Sequence, residues 1–216
     1  MKFNRHSIRR ELELYLVSDR CWLNGKELSE DIEKAIQGGV TFVQIREKDL
    51  STENFIEEAL KLKKLCEHYE IPFVINDNVE VAKAIDADGI HVGQDDLDVE
   101  SVRKILGEDK IIGVSAQNVE EAKKAQEGGA DYLGVGAIFS TTTKLDADDV
   151  SYETLKAIVQ AVDIPVIAIG GISKDNILKL KGTKIDGVAL ISAIMAKDDV
   201  FQASKELKKL SEELVK

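Results

Sequence analysis

The sequence predicts a (β/α)8 barrel, and three observations carry that expectation. A phrase in which a helix-like stretch meets a small or polar break and then a short apolar strand recurs at residues 35–46, 84–94, 125–136 and 180–192. Eight short segments rich in Val, Ile or Leu read as strands, near 12–18, 41–46, 72–75, 89–92, 111–115, 132–136, 166–169 and 187–190. The stretches between them carry helical periodicity: in 53–68, Phe55, Ile56, Leu60, Leu62 and Leu65 mark a broad apolar face among charged residues.

Near-continuous apolar strands covered by such helices indicate a parallel sheet, whose crossovers are right-handed. Eight units leave about 27 residues each, enough for a compact βα repeat with short loops. An open doubly wound sheet would use fewer strands and show a Gly-rich nucleotide turn after the first one, and YLVSDRCWLNG is not such a turn. Residues 4–11 are expected to form a short helix capping the barrel bottom. Residues 199–215, with Leu207, Leu210 and Leu214, are expected to form the last outer helix. The whole chain, 1–216, reads as one domain.

Hydrophobic residues make up 44% and charged residues 32%, the balance of a globular protein rather than a disordered or membrane chain. With 29 Lys and Arg against 40 Asp and Glu, the net charge of −11 argues against non-specific binding to nucleic acid or anionic lipid. The opening residues hold no apolar run of secretory length and no later segment approaches a membrane span, so a cytoplasmic location is expected. Cys21 and Cys66 stand far apart without metal-ligand spacing, and each is expected to behave as a small hydrophobe. Exposed outer helices leave a homodimer open.

In such a barrel the reacting groups come from the C-terminal ends of the strands, which converge on one mouth. The second strand ends in Gln44, Arg46, Glu47 and Lys48, the third in Asn76 and Asp77, the fourth in His91, Gln94, Asp95 and Asp96, and the fifth at Ser115. The sixth runs into Thr141, Thr142, Thr143 and Lys144, the seventh ends in Gly170 and Gly171, and the eighth in Ile191 and Ser192. Arg46, Lys48 and Lys144 can surround a polyanion. Asp77 and Asp96 can hold a hard divalent cation: Mg²⁺ commonly takes one or two carboxylates and fills its other positions with water and phosphate oxygens. No His and Cys cluster suggests zinc. AIGGIS (168–173) and ALISAI (189–194) stand where barrels of this kind bind a monophosphate through backbone N–H groups.

Blander readings stand beside these. Residues 46–49 can be a solvated charge run, and Asp95 or Asp96 can cap the helix that starts near Val99, although Asp98 is closer. His91 reads better as a buried, hydrogen-bonded imidazole than as a general base. Gly170 and Gly171 can be only a tight turn.

The motifs VQIREKD (43–49), IND (75–77), HVGQDD (91–96), GVSA (113–116), TTTK (141–144), IGGI (169–172) and ISAI (191–194) run in the order found in one family, and over nearly its whole length the chain resembles thiamine phosphate synthases. The resemblance implies a (β/α)8 transferase that joins a hydroxymethylpyrimidine diphosphate to a hydroxyethylthiazole phosphate, releasing pyrophosphate, with Mg²⁺ as cofactor. It implies that Gln44, Arg46, Lys48 and Asn76, with Glu47 grouped among them, bind the pyrimidine substrate, and that Asp77 and Asp96 hold the metal. Ser115 and Lys144 would complete that pocket, Thr141 and Thr143 would line the thiazole side, and Gly171, Ile191 and Ser192 would receive the thiazole phosphate. Arg46, Lys48, Ser115 and Lys144 are the expected catalytic residues. Ala137 and Ser140 depart from the prolines expected in the family, which implies a less rigid loop. The rival within the fold is a thiazole tautomerase-like isomerase, which needs no diphosphate-bound metal and is expected to carry His where this chain has Gln117. A phosphosugar epimerase or aldolase and a non-catalytic binding protein are more distant alternatives.

An aminopyrimidine that lends electrons to its methylene allows the diphosphate to leave before the thiazole nitrogen attacks. The protein's task is then to stabilise the departing charge and hold the nitrogen in line. Lys144→Ala is therefore expected to lower turnover on the order of a hundredfold while changing thiazole phosphate binding far less, as steady-state kinetics would show.

Overall fold

Eight parallel strands of four to six residues form one sheet that closes on itself. The computed structural model describes residues 3, 5–23, 25–140 and 150–216. β1 (Leu14–Val17), β2 (Phe42–Ile45), β3 (Phe73–Asn76), β4 (Gly89–Val92), β5 (Ile111–Ala116), β6 (Tyr132–Val135), β7 (Val166–Ile169) and β8 (Gly187–Leu190) pair in parallel in chain order, and β8 returns to β1. The expected strands are all present, with ends within two residues of those read from the sequence.

Alternation divides each strand between two cores. Leu14 and Leu16, Val43 and Ile45, Phe73 and Ile75, Ile90 and Val92, Ile112 and Val114, and Leu133 and Val135 face outward into the layer shared with the helices. Tyr15, Val17, Phe42, Val74, Ile111, Tyr132 and Ile167 fill the interior, closed below by Ile8 and Leu12. The segment before β1 is a 3₁₀ turn, Arg5–Ser7, followed by further turns, rather than a longer helix.

The outer layer consists of α1 (Leu28–Gln37), α2 (Thr52–His68), α3 (Val79–Ala84), α4 (Val99–Leu106), α5 (Val119–Glu127), α6 (Tyr152–Ala161), the short α7 (Ser192–Met195) and α8 (Val200–Leu214). After β7 a 3₁₀ turn, Ile177–Leu180, takes the place of a longer helix. Side-chain caps fix where several helices begin: Asn78 accepts from the Val81 N–H at 2.9 Å, Asp98 from Ser101 at 2.9 Å and Asn118 from Glu121 at 2.9 Å. In α2 the buried seam is Phe55, Ala59, Leu62 and Cys66, whereas Leu60 is exposed. Ala59 and Cys66 extend the i, i+4 line that the larger side chains begin, and Leu60 lies off it. Cys66 is the small buried hydrophobe expected, while Cys21 is exposed.

The recurring phrase in the sequence has a physical meaning at the barrel bottom. The residue just before each even-numbered strand is Thr41, Asp88, Asp131 or Asp186, and its side-chain oxygen accepts an N–H from the start of the preceding odd-numbered strand. The acceptances are Leu14 N–H to Thr41 Oγ1 at 2.9 Å, Phe73 to Asp88 at 2.9 Å, Ile112 to Asp131 at 2.8 Å and Val166 to Asp186 at 2.8 Å. The Asp131 carboxylate is buried and also takes Arg103 Nη2 at 2.8 Å and Arg5 Nη1 at 2.9 Å.

Removing one partner of a buried ion group leaves the other charge without compensation. Asp131→Ala is expected to destabilise the fold by about 3 kcal/mol in urea unfolding. Asp131→Asn, whose amide oxygen still accepts from Ile112, is expected to cost less.

Candidate active site

At the opposite end the barrel interior turns polar. Position by position the inward residues run from Phe42 to Gln44 on β2, from Val74 to Asn76 on β3 and from Ile111 through Gly113 to Ser115 on β5. They open into a cavity of about 500 Å³, within the range of small-molecule sites.

On the β2 side, Gln44, Arg46 and Lys48 all line the cavity, as their shared parity requires. The loop after β1 braces them: the Arg46 N–H donates to Ser18 Oγ at 3.1 Å, Ser18 N–H donates to the Gln44 carbonyl at 2.9 Å, and Asp19 Oδ2 lies 3.4 Å from Arg46 Nη1. Glu47 departs from expectation. With the opposite parity it turns out of the cavity, and its buried carboxylate meets Arg20 Nε at 2.6 Å, with Glu58 3.6 Å from the same guanidinium. It braces the β1 and β2 loops instead of lining the cavity.

Asn76 and Asp77 from β3, and Asp95 and Asp96 from the loop after β4, form the acidic side. Asp77 has a left-handed backbone (φ 60°), which Asp tolerates better than most residues, and its N–H donates to the His91 carbonyl at 2.9 Å. Asp96 does not cap α4; Asp98 does, and Asp96 Oδ2 accepts the Gly93 N–H at 2.7 Å. Among the described residues no group of three or more His, Cys, Asp or Glu is gathered as a metal cage. The donor set that Asp77 and Asp96 offer is two hard carboxylates bordering the open cavity, which suits a cation that keeps most of its positions for water or ligand oxygens.

The mouth is underlain by a continuous run of side-chain hydrogen bonds. Asn76 Nδ2 donates to Asp77 Oδ2, and Gln44 Nε2 donates to Asn76 Oδ1 at 2.5 Å. Tyr15 OH donates to Gln44 Oε1 at 2.7 Å and lies 2.8 Å from Tyr132 OH. Tyr132 OH is 3.0 Å from His91 Nδ1, and His91 Nε2 is 3.0 Å from Ser115 Oγ. Glycine makes room for this run: a Cβ on Gly113 would lie 2.1 Å from the Tyr132 ring, and one on Gly134 3.0 Å from the His91 ring. His91 is thus the buried, bonded imidazole expected. Tyr15 and Tyr132 were not legible as site residues, because a strand tyrosine reads simply as core.

Across the ring, the chain after β6 runs beside β7, with Ile138 N–H donating to the Ile169 carbonyl at 3.0 Å and Phe139 N–H to the Gly170 carbonyl at 3.1 Å. Val150 N–H donates to the Ala137 carbonyl at 2.7 Å, so the two ends of this loop meet. Thr141, Thr143 and Lys144 lie outside the described residues. Gly171 adopts φ 61°, and a Cβ there would stand 2.4 Å from the Phe139 carbonyl oxygen, so no larger residue fits. Gly171, Ile191 and Ser192 line the cavity on this side, as does Gln117.

Burial pushes the Glu47 carboxyl up, and the Arg20 guanidinium opposes this. Removing Arg20 raises the folded-state value further above the unfolded one, and the resulting penalty falls on the charged form. Arg20→Ala is therefore expected to cost about 2 kcal/mol near pH 7, a loss that shrinks as pH falls through the raised value and Glu47 takes a proton. Urea unfolding compared at pH 7 and at about pH 4.5 checks the sign.

The family model described as thiamine monophosphate synthase matches residues 14–194. A thiamine-phosphate synthase of Clostridium tetani is 54% identical over 202 residues, covering 94% of this chain and 97% of the relative. One from Clostridium botulinum is 50% identical, covering 92% and 93% of the two chains. The solved thiamine phosphate pyrophosphorylase of Pyrococcus furiosus superposes with a TM-score of 0.90 at 40% identity, covering 97% of this chain and all of that one. With the barrel, the mouth and these likenesses together, the chain belongs to the thiamine monophosphate synthase family.

Proposed function

We propose that this chain is a thiamine-phosphate synthase, a transferase that joins an aminopyrimidine bearing a methylene diphosphate to a hydroxyethylthiazole phosphate and releases pyrophosphate. One observation carries the reading beyond family likeness: a single cavity is lined by basic and acidic residues on its β2 to β4 side and by Gly171, Ile191 and Ser192 on its β7 to β8 side. β3 and β7 stand four strands apart in a ring of eight, hence on opposite sides of the mouth. Two anionic ligands can then approach each other with their reacting ends between them.

In this reading the carbon–oxygen bond to the diphosphate breaks first, and its electron pair leaves with the pyrophosphate. Arg46 and Lys48 stabilise that departing charge. Asp77 and Asp96 would hold Mg²⁺, which supplies further neutralisation of the diphosphate when bound. The aminopyrimidine spreads the cation left on its methylene, and the thiazole nitrogen, anchored through its phosphate at the other side, forms the new carbon–nitrogen bond. Holding the two partners in line is a proximity effect, and no protein nucleophile is required. Gln117 at the cavity wall, instead of an acid–base side chain, supports a synthase over the isomerase alternative. No helix among the described residues is long and apolar enough to cross a membrane, and action on small soluble substrates in the cytoplasm is part of the same proposal.

The test is to mix both phosphorylated substrates with the protein, with and without Mg²⁺, and to follow the products by phosphorus NMR. Thiamine phosphate and pyrophosphate are expected in equal amounts, and only with the metal. Folded protein that makes neither product would overturn the proposal.

A further inference from the structure

The run of hydrogen bonds beneath the mouth has a direction that its end fixes. A carboxylate only accepts, so Asn76 must turn its amide NH₂ to Asp77 and its oxygen to Gln44. Gln44 therefore gives its NH₂ to Asn76 and keeps its oxygen for Tyr15, whose single hydroxyl proton is spent on that oxygen. Tyr15 can then only accept from Tyr132, which leaves Tyr132 with no proton for His91. The proton between Tyr132 and His91 must sit on His91 Nδ1. In the neutral ring Nε2 is then bare, and the Ser115 hydroxyl, 3.0 Å away, points its proton at it.

We propose that Tyr132 and Tyr15 are positioning residues that hold His91 as its Nδ1–H tautomer and so orient Ser115 with its lone pairs toward the cavity, where it accepts an N–H of the ligand. This rests on the reading of that side of the mouth as the pocket of an amino-substituted ring. Every bond in the run donates the same way, from Ser115 through His91, Tyr132, Tyr15, Gln44 and Asn76 to Asp77, a register that spans β1 to β6.

Three features support it. Burial pushes both phenol ionisations well above the ordinary tyrosine range, so each ring keeps the one proton that the count assigns to it. Tyr132 is fully buried, and Gly113 and Gly134 leave the gap into which its ring and that of His91 fit. Gln44 and Asn76 are amides, which hold their protons, so the run sets orientation and does not conduct protons away.

The experiment is long-range proton–nitrogen NMR on protein carrying ¹⁵N-labelled histidine, with the His91 signals identified by their loss in His91→Asn. Because it is read on resting protein without substrate, it stands or falls separately from the activity assay. A protonated Nδ1 and a bare Nε2 are expected. A proton on the nitrogen that faces Ser115 overturns the proposal. In Tyr132→Phe the acceptor is gone, and the ring is expected to move toward the Nε2–H form, with kcat/KM for the pyrimidine substrate about tenfold lower and the KM for the thiazole phosphate unchanged. An unmoved tautomer or an unchanged kcat/KM in that variant removes Tyr132 from the role. Should the variant fail to fold, the wild-type spectrum alone decides the direction.

Discussion

The barrel depends on one repeated joint, in which a side-chain oxygen placed immediately before an even-numbered strand accepts an N–H from the start of the odd-numbered strand before it. Thr41, Asp88, Asp131 and Asp186 each do this. A strand of four residues has few ladder bonds with which to fix its register, and a slip of one residue would exchange inward and outward faces. The joint removes that freedom at the bottom of each pair. At Asp131 it is strengthened by two guanidinium groups, which also tie the chain before β1 and α4 to the base.

Fixed register is what the mouth requires. The interior passes from apolar residues at the bottom to Gln44, Asn76, His91 and Ser115 at the top, with Tyr15 and Tyr132 between. A tyrosine suits that boundary because its ring is core and its hydroxyl is not. The buried polar groups so placed must all be bonded to be tolerated, and a fully bonded network is also a rigid one. The same pleat that carries Leu16 and Ile45 to the helices carries the side chains of the site inward.

Much of this was legible in the sequence. Eight apolar runs, the breaks between them and the position of polar residues at strand ends were enough for the fold and for most of the residues around the mouth. Glu47, expected among the residues around the mouth, pairs with Arg20 instead of lining the cavity; it shares parity with outward-facing Ile45, while Arg46 and Lys48 share parity with Gln44. Leu60, expected on the apolar face of α2, lies off the i, i+4 seam and is exposed, and small Ala59 takes the buried place. Tyr132 could not have been found, since it meets Tyr15 across 117 positions of chain and only closure of the ring joins them. The meaning of the aspartates in the recurring phrases was hidden for a related reason: their partners lie on another strand.

The joints at the base also say where such a molecule would come apart cleanly. Each one ties an odd strand to the even strand that follows it, so a chain cut between pairs keeps every joint within a fragment, whereas a cut inside a pair severs one. Pieces of two or four strands are thus the natural quarters and halves of this ring, and they are the units in which it could be split, recombined or restarted at a new terminus with its base joints whole.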